Sequence, residues 1–257
     1  MTTIRRRGLA LALAAGVLLR GAAEAATGEE EQQLDVLSAP KQIWEREMRV
    51  DGAGVPDGKF AVTDLDRNGR LELLFTTTAG AEEEIENRGY EVNEQGDGVA
   101  RLLFPEAAEA MEIGQPRVTM YFACQIGTRH YVFSSARWRP VAEGGWTRRG
   151  GLFGLCLWQG TFRAELLGRF HELHEARDLP PTAAVYRDRD AKVIDEAAYG
   201  QLPRNTYSGC HLFEVKLGWT PLAELAAARG DREKVRALFA RSWAAFREKE
   251  LDIGPVH

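Results

Sequence analysis

The sequence predicts an α+β fold: an N-terminal helix, a central antiparallel β-meander sheet and a C-terminal helical hairpin. Three observations carry that expectation. Between Phe60 and Arg169, short apolar-rich runs alternate with tight joints at Gly96-Asp97-Gly98, Gly127-Thr128, Gly144-Gly145 and Gln159-Gly160, which is how hairpins are spelled. Links this short join antiparallel neighbours, because parallel strands need crossovers of a dozen or more residues. Outside that block, apolar residues recur at helical spacing.

The elements follow in order. "MTTIRRRGLALALAAGVLLRGAAEAATGEE" has a basic start, a short apolar run and the small-x-small site Ala23-Glu24-Ala25. This predicts a signal peptide over 1–25, and a secreted or periplasmic mature chain with no membrane span. Thr27 to Val50 reads as helical, with Ser38 as a cap and Pro40 near a helix start. Strands are expected at 60–64, 71–78, 84–92, 99–104, 117–126, 129–136, 151–158 and 161–169. The acidic run Ala81 to Asn87 reads as a solvated loop or exposed strand face. "VYRDRDAKVIDEAAYG" predicts a turn, a short strand and a helix capped by Asp195. At the end, Thr220 caps one helix, with Pro221 at its first position and Gly230 as its stop. Asp231 caps a second, whose Val235, Leu238, Phe239, Ser242, Trp243 and Phe246 share a face. The division is therefore a leader at 1–25, an α+β domain at 26–219 and a helical hairpin at 220–257.

Cleavage after Ala25 leaves 29 basic and 37 acidic residues, net −8. An acidic chain whose sequence shows no basic stripe is a poor fit to nucleic acid or anionic lipid. A protein or an envelope component is the expected partner. Cys124, Cys156 and Cys210 allow one disulfide in an oxidising compartment. Cys124 and Cys156, both in strand-like runs, are the first pair to consider, and the sequence leaves the pairing open.

One stretch carries specific chemistry. In "DLDRNGRLE", Asp64, Asp66 and Asn68 alternate, Gly69 permits a sharp reversal, and Arg70 and Glu72 follow. Ca²⁺ takes six to eight oxygen ligands in a compact cage. Alternate side chains on a tight loop converge, the Arg70 carbonyl supplies a backbone oxygen, and Glu72 closes the cage. The pattern arises by chance on the order of once in a thousand chains of this size. A plain Asn-Gly hairpin turn is the competing reading. It accounts for Asn68-Gly69 but not for Asp64, Asp66 and Glu72 at those offsets. An EF-hand is excluded, because its twelfth position must be a bidentate Glu and here it is Phe75.

The loop resembles the calcium loop of FG-GAP and VCBS repeats. More of the chain, from about Trp44 to Trp219, resembles a group of uncharacterised secreted bacterial proteins. It shares with them a tryptophan-bearing helix, "FAVTDLDRNGRLELLF", "HYVFSSARW" and "VYRDRDAKVIDEAAY" in that order. The resemblance implies a compact α+β domain with one calcium-type loop and no known catalytic activity. Asn68 stands where that pattern has Asp, and Arg67 and Arg70 add positive charge. Binding in the ~10⁻⁴–10⁻³ M range of extracellular modules is the expectation.

Catalytic signatures are scarce. His171 and His174 in "HELHE" are one residue short of a zincin pair and read as ordinary surface histidines. "GGLFGLCLWQG" lacks a nucleophile elbow, and its glycines read as turn and strand-end residues. Two functions remain: a calcium-binding module with a mainly structural metal, or a secreted hydrolase whose carboxylates work in a cleft. For the hydrolase the candidates are Asp64, Asp66 and Glu72, or Glu165 and Glu172.

Overall fold

A computed structural model describes residues 28–39, 57–79, 84–106, 111–142 and 144–251. The expected leader at 1–25 and the expected helix start at Pro40 lie outside these residues. The first helix, α1, covers 28–37. Strand β1 (Asp57–Thr63) then pairs antiparallel with β2 (Glu72–Ala79), which pairs with β3 (Glu84–Val92) and β3 with β4 (Val99–Arg101). The next block is β5 (Arg117–Ala123), β6 (Thr128–Pro140), β7 (Trp146–Trp158), β8 (Thr161–His174), β9 (Ala183–Asp188) and β10 (Val193–Ile194). Then come α2 (Glu196–Thr206), β11 (His211–Lys216), β12 (Thr220–Pro221), α3 (Leu222–Ala227), α4 (Arg232–Ala245) and β13 (Arg247–Glu250).

Antiparallel pairing is as expected, but the strands form two sheets rather than one meander. The first runs β12-β1-β2-β3-β4 and the second β10-β9-β8-β7-β6-β5-β11-β13. Among the described residues, an isolated parallel bridge from Leu103, just past β4, to Thr161 of β8 links them. Strand alternation explains the layering. Phe60, Val62, Leu73, Phe75, Tyr90 and Val92 face one side of the first sheet, where they meet Leu34 and Leu37 of α1 and Val235 and Phe239 of α4. The opposite side offers Leu74 and Leu102, which pack on Met120, Tyr131, Phe133, Leu155 and Phe162 of the second sheet. Each such fully buried side chain contributes roughly 1.5–3 kcal/mol. The far face of the second sheet carries α2, through Leu202 and Tyr207.

Several local expectations are corrected. Thr220 is not a cap: it is extended and pairs with Phe60, and α3 starts after Pro221 without a side-chain cap bond. Asp231 and Asp195 do cap, accepting from Lys234 N and Ala198 N. Gly150, Gly151 and Gly154 lie inside β7 rather than at its end. A Cβ on Gly154 would sit 1.7 Å from the Tyr207 hydroxyl, so the gap in the strand is filled by α2. Cys124 and Cys156 are not bridged. Cys124 lies in the turn just after β5, Cys156 lies in β7, and β6 runs between those two strands; two strand spacings, about 9.5 Å, exceed any disulfide's reach. His174 is buried rather than on the surface. Its Nδ1 lies 2.7 Å from the Leu179 carbonyl and its Nε2 3.2 Å from Glu172.

Candidate metal centre

Residues Asp64 to Leu71 form the connection between β1 and β2, whose last pair is Thr63 with Glu72. Two residues there take left-handed backbone, Arg67 at φ 57° and Gly69 at φ 83°. Glycine makes the second free of steric penalty. Each side chain helps to fold the loop. Asp66 accepts from the Asn68 backbone at 3.2 Å and from the Asn68 amide at 3.1 Å. Asn68 Oδ1 accepts from Arg70 N at 2.7 Å. These side chains curl the chain as an Asx turn does.

The loop is also pinned from three other elements. Gln33 of α1 donates to the Gly69 carbonyl at 2.8 Å and accepts from Leu71 N at 2.6 Å. The Tyr131 hydroxyl of β6 donates to the Leu65 carbonyl at 2.7 Å. Glu91 of β3 accepts from Asn68 Nδ2 and from Arg70 Nη2, both at 2.7 Å. The sequence reading missed Gln33 and Glu91. Glu91 stands directly across from Glu72 in the β2–β3 register, a relation that linear spacing does not display.

Inside this frame the carboxylates of Asp64, Asp66 and Glu72 converge. One oxygen from each lies within 4.8 Å of the others. Glu72 is fully buried and accepts from Thr63 Oγ1 at 2.7 Å and from Leu65 N at 2.9 and 3.0 Å. Asp64 is 7% exposed, and its Oδ1 has no hydrogen-bond partner. Such an oxygen costs about 1–3 kcal/mol, more when charged. Burial pushes the Asp64 carboxyl from its usual 3.8 up to about 6, opposed by the Arg67 charge and helped by that of Asp66. Burial raises Asp66 as well, and it drives Glu72 well above the carboxylate range, with Asp64 adding to the effect.

The flanking arginines point away. Arg67 pairs with Glu248 of β13 at 3.1 Å and lies over the Phe246 ring. Arg70 pairs with Glu91. Of the residues the sequence nominated, the structure clusters Asp64, Asp66 and Glu72. The Asn68 amide is held by Asp66, Arg70 and Glu91, and the half-buried Arg70 side chain is tied to Glu91.

The other nominated carboxylates do not pair. Glu165 and Glu172 are seven residues apart on β8, about 20 Å of extended strand, far beyond the spacing of an acid–base couple. Glu172 is engaged by Arg148, His174 and Tyr186 at 3.1–3.2 Å. Glu165 lines an outer cleft of about 410 Å³ with Thr128, His130, Trp158 and Arg163. Comparisons with family models, curated proteins and solved structures returned no match to this chain.

Proposed function

We propose that this chain is a secreted or periplasmic calcium-binding module whose metal mainly stabilises structure, with a protein or envelope component as its partner. The observation that carries the reading is the buried, unpartnered Asp64 Oδ1 inside a trio of carboxylates. A hard cation would satisfy that oxygen and offset the mutual repulsion that lifts these carboxyl pKa values. Oxygen donors without His or Cys favour Ca²⁺ or Mg²⁺ over zinc. Asp64, Asp66 and Glu72 are the core ligands. The second lone pair of the Asn68 amide oxygen and the Arg70 carbonyl complete the set.

In this reading the N-terminal helix and the C-terminal helical hairpin brace the sheet that carries the loop. Gln33 of α1 holds the loop backbone. Ser242 of α4 accepts from Val62 N at 2.9 Å and donates to the Gly218 carbonyl. A rigid frame of this kind suits a structural ion. The hydrolase alternative has less support: among the described residues, Glu165 is the sole carboxylate lining the outer cleft.

Calorimetric titration of the mature chain with Ca²⁺, and separately with Mg²⁺, tests the proposal. Saturable Ca²⁺ binding in the ~10⁻⁴–10⁻³ M range, abolished by Asp64→Ala, is expected. Equal heats for wild type and variant would remove the loop from the account.

A further inference from the structure

The second sheet is wider than the first, so part of its inner face reaches past the packed core. Register assigns the residues there. Arg137 of β6 lies opposite Arg149 of β7, which lies opposite His171 of β8 and, beyond it, Val185 of β9. The next row toward the core runs Ser135, Gly151, Arg169, Arg187 and Val193. On the other side the row is Arg139, Thr147, Leu173 and Ala183. All five arginines are exposed, and so are Leu173, Val185 and Val193. The expectation of a surface without a basic stripe is thereby corrected. The stripe runs across the strands, where linear sequence cannot show it.

Two features mark this face as unfinished. Arg137 opposes Arg149 directly, and Arg169 opposes Arg187 directly. Like charges in such cross-strand pairs destabilise a sheet. Among the described residues, Arg137, Arg139, Arg149 and Arg169 have no carboxylate partner, while Arg187 donates only to the Ala191 carbonyl. An anionic surface would supply the missing charge. A second copy of this chain would not, because the same face would meet itself with the same sign.

We propose that the exposed arginine–aliphatic face of β6 to β10 docks on an anionic lipid bilayer. Arginines gather lipid phosphates, and Leu173, Val185 and Val193 enter the headgroup boundary between them. The alternation suits a flat interface roughly 19 Å across five strands. Single-stranded nucleic acid fits less well, because its bases stack on aromatic rings. Trp138, Trp146, Phe170 and Tyr186 all sit on the opposite face by register.

The test compares full-length mature wild type with the Arg149→Glu/Arg169→Glu double variant. Both are cosedimented with vesicles of phosphatidylcholine alone and of phosphatidylcholine mixed with phosphatidylglycerol. Wild type should sediment with the anionic vesicles only, less at high salt, and the double variant should bind on the order of a hundredfold more weakly. Because both positions are exposed and repelled by their neighbours, the variant should melt no lower than wild type. Should it misfold, Arg149→Gln/Arg169→Gln makes the same comparison. Wild type that ignores anionic vesicles at low salt would overturn the proposal, as would a folded variant that binds them equally. Tighter binding to a labelled single-stranded oligonucleotide than to vesicles would also overturn it and assign the face to nucleic acid.

Discussion

Two turns in this molecule begin with the same signature and end differently. "DLDRNG" joins β1 to β2, and "DRDAK" joins β9 to β10. Both place aspartates two apart, and both fold by accepting backbone N–H groups. At the second turn Asp188 Oδ1 accepts from Asp190 N and Lys192 N at 3.0 Å, and Asp190 is exposed. That turn is complete in water. At the first, Asp64 and Glu72 are buried beside a half-buried Asp66, and Asp64 Oδ1 has no donor. Spacing alone therefore does not make a cation site. Burial with an unsatisfied oxygen is what sets the first turn apart as a candidate, because water cannot finish the job there.

The largest effect expected at the buried turn is that of Glu72→Ala. It strands the Thr63 hydroxyl and the Leu65 N–H, and chemical denaturation in EGTA should show a loss of about 3 kcal/mol, which grows in Ca²⁺ because the ligand is gone as well. Glu72→Gln should keep much of that stability while losing the calcium response, which separates scaffold from ligand.

A similar effect should appear on changing pH in EGTA. The folded Asp64 carboxyl, near 6, is raised above its unfolded value near 3.8. The folded state thus holds this proton to higher pH. Its stabilisation is complete below about pH 4 and is lost as pH rises through 6, by up to about 3 kcal/mol, and Glu72 acts in the same direction. Denaturation curves in EGTA from pH 4 to 7 should show the decline, and excess Ca²⁺ should flatten it. A flat profile in EGTA would erase the contrast between the turns.

The smallest effect belongs to the exposed turn. Asp188→Ala removes two hydrogen bonds that water partly replaces, for about 0.5–1 kcal/mol. No dependence on Ca²⁺ should accompany it. A calcium response lost at Asp188 would break the comparison from the other side.

Much of this contrast was legible in the sequence. The loop announced itself because its ligand types recur at fixed short offsets. Antiparallel pairing followed from glycine-rich joints, and the Asp195 and Asp231 caps from local chemistry. What stayed hidden depends on register. Glu91 faces Glu72 only because β2 and β3 pair as they do, and Gln33 reaches Leu71 across 38 residues. β6 and β8 run on to Pro140 and His174 and β7 begins already at Trp146, and these arginine-rich portions lack the apolar alternation that marks strands. The short strands β12 and β13 are held by β1 and β11, with little pattern of their own.

Calcium-dependent thermal unfolding of residues 26–257 tests the central claim most directly, with wild type beside Asp64→Ala and Asp66→Ala. At 100 times its dissociation constant, Ca²⁺ should add about 2.7 kcal/mol to wild type, roughly 5–10 °C for a chain of this size. Neither variant should respond. A wild type that melts identically in millimolar Ca²⁺ and in EGTA would contradict the account, leaving "DLDRNGRLE" a strained hairpin turn.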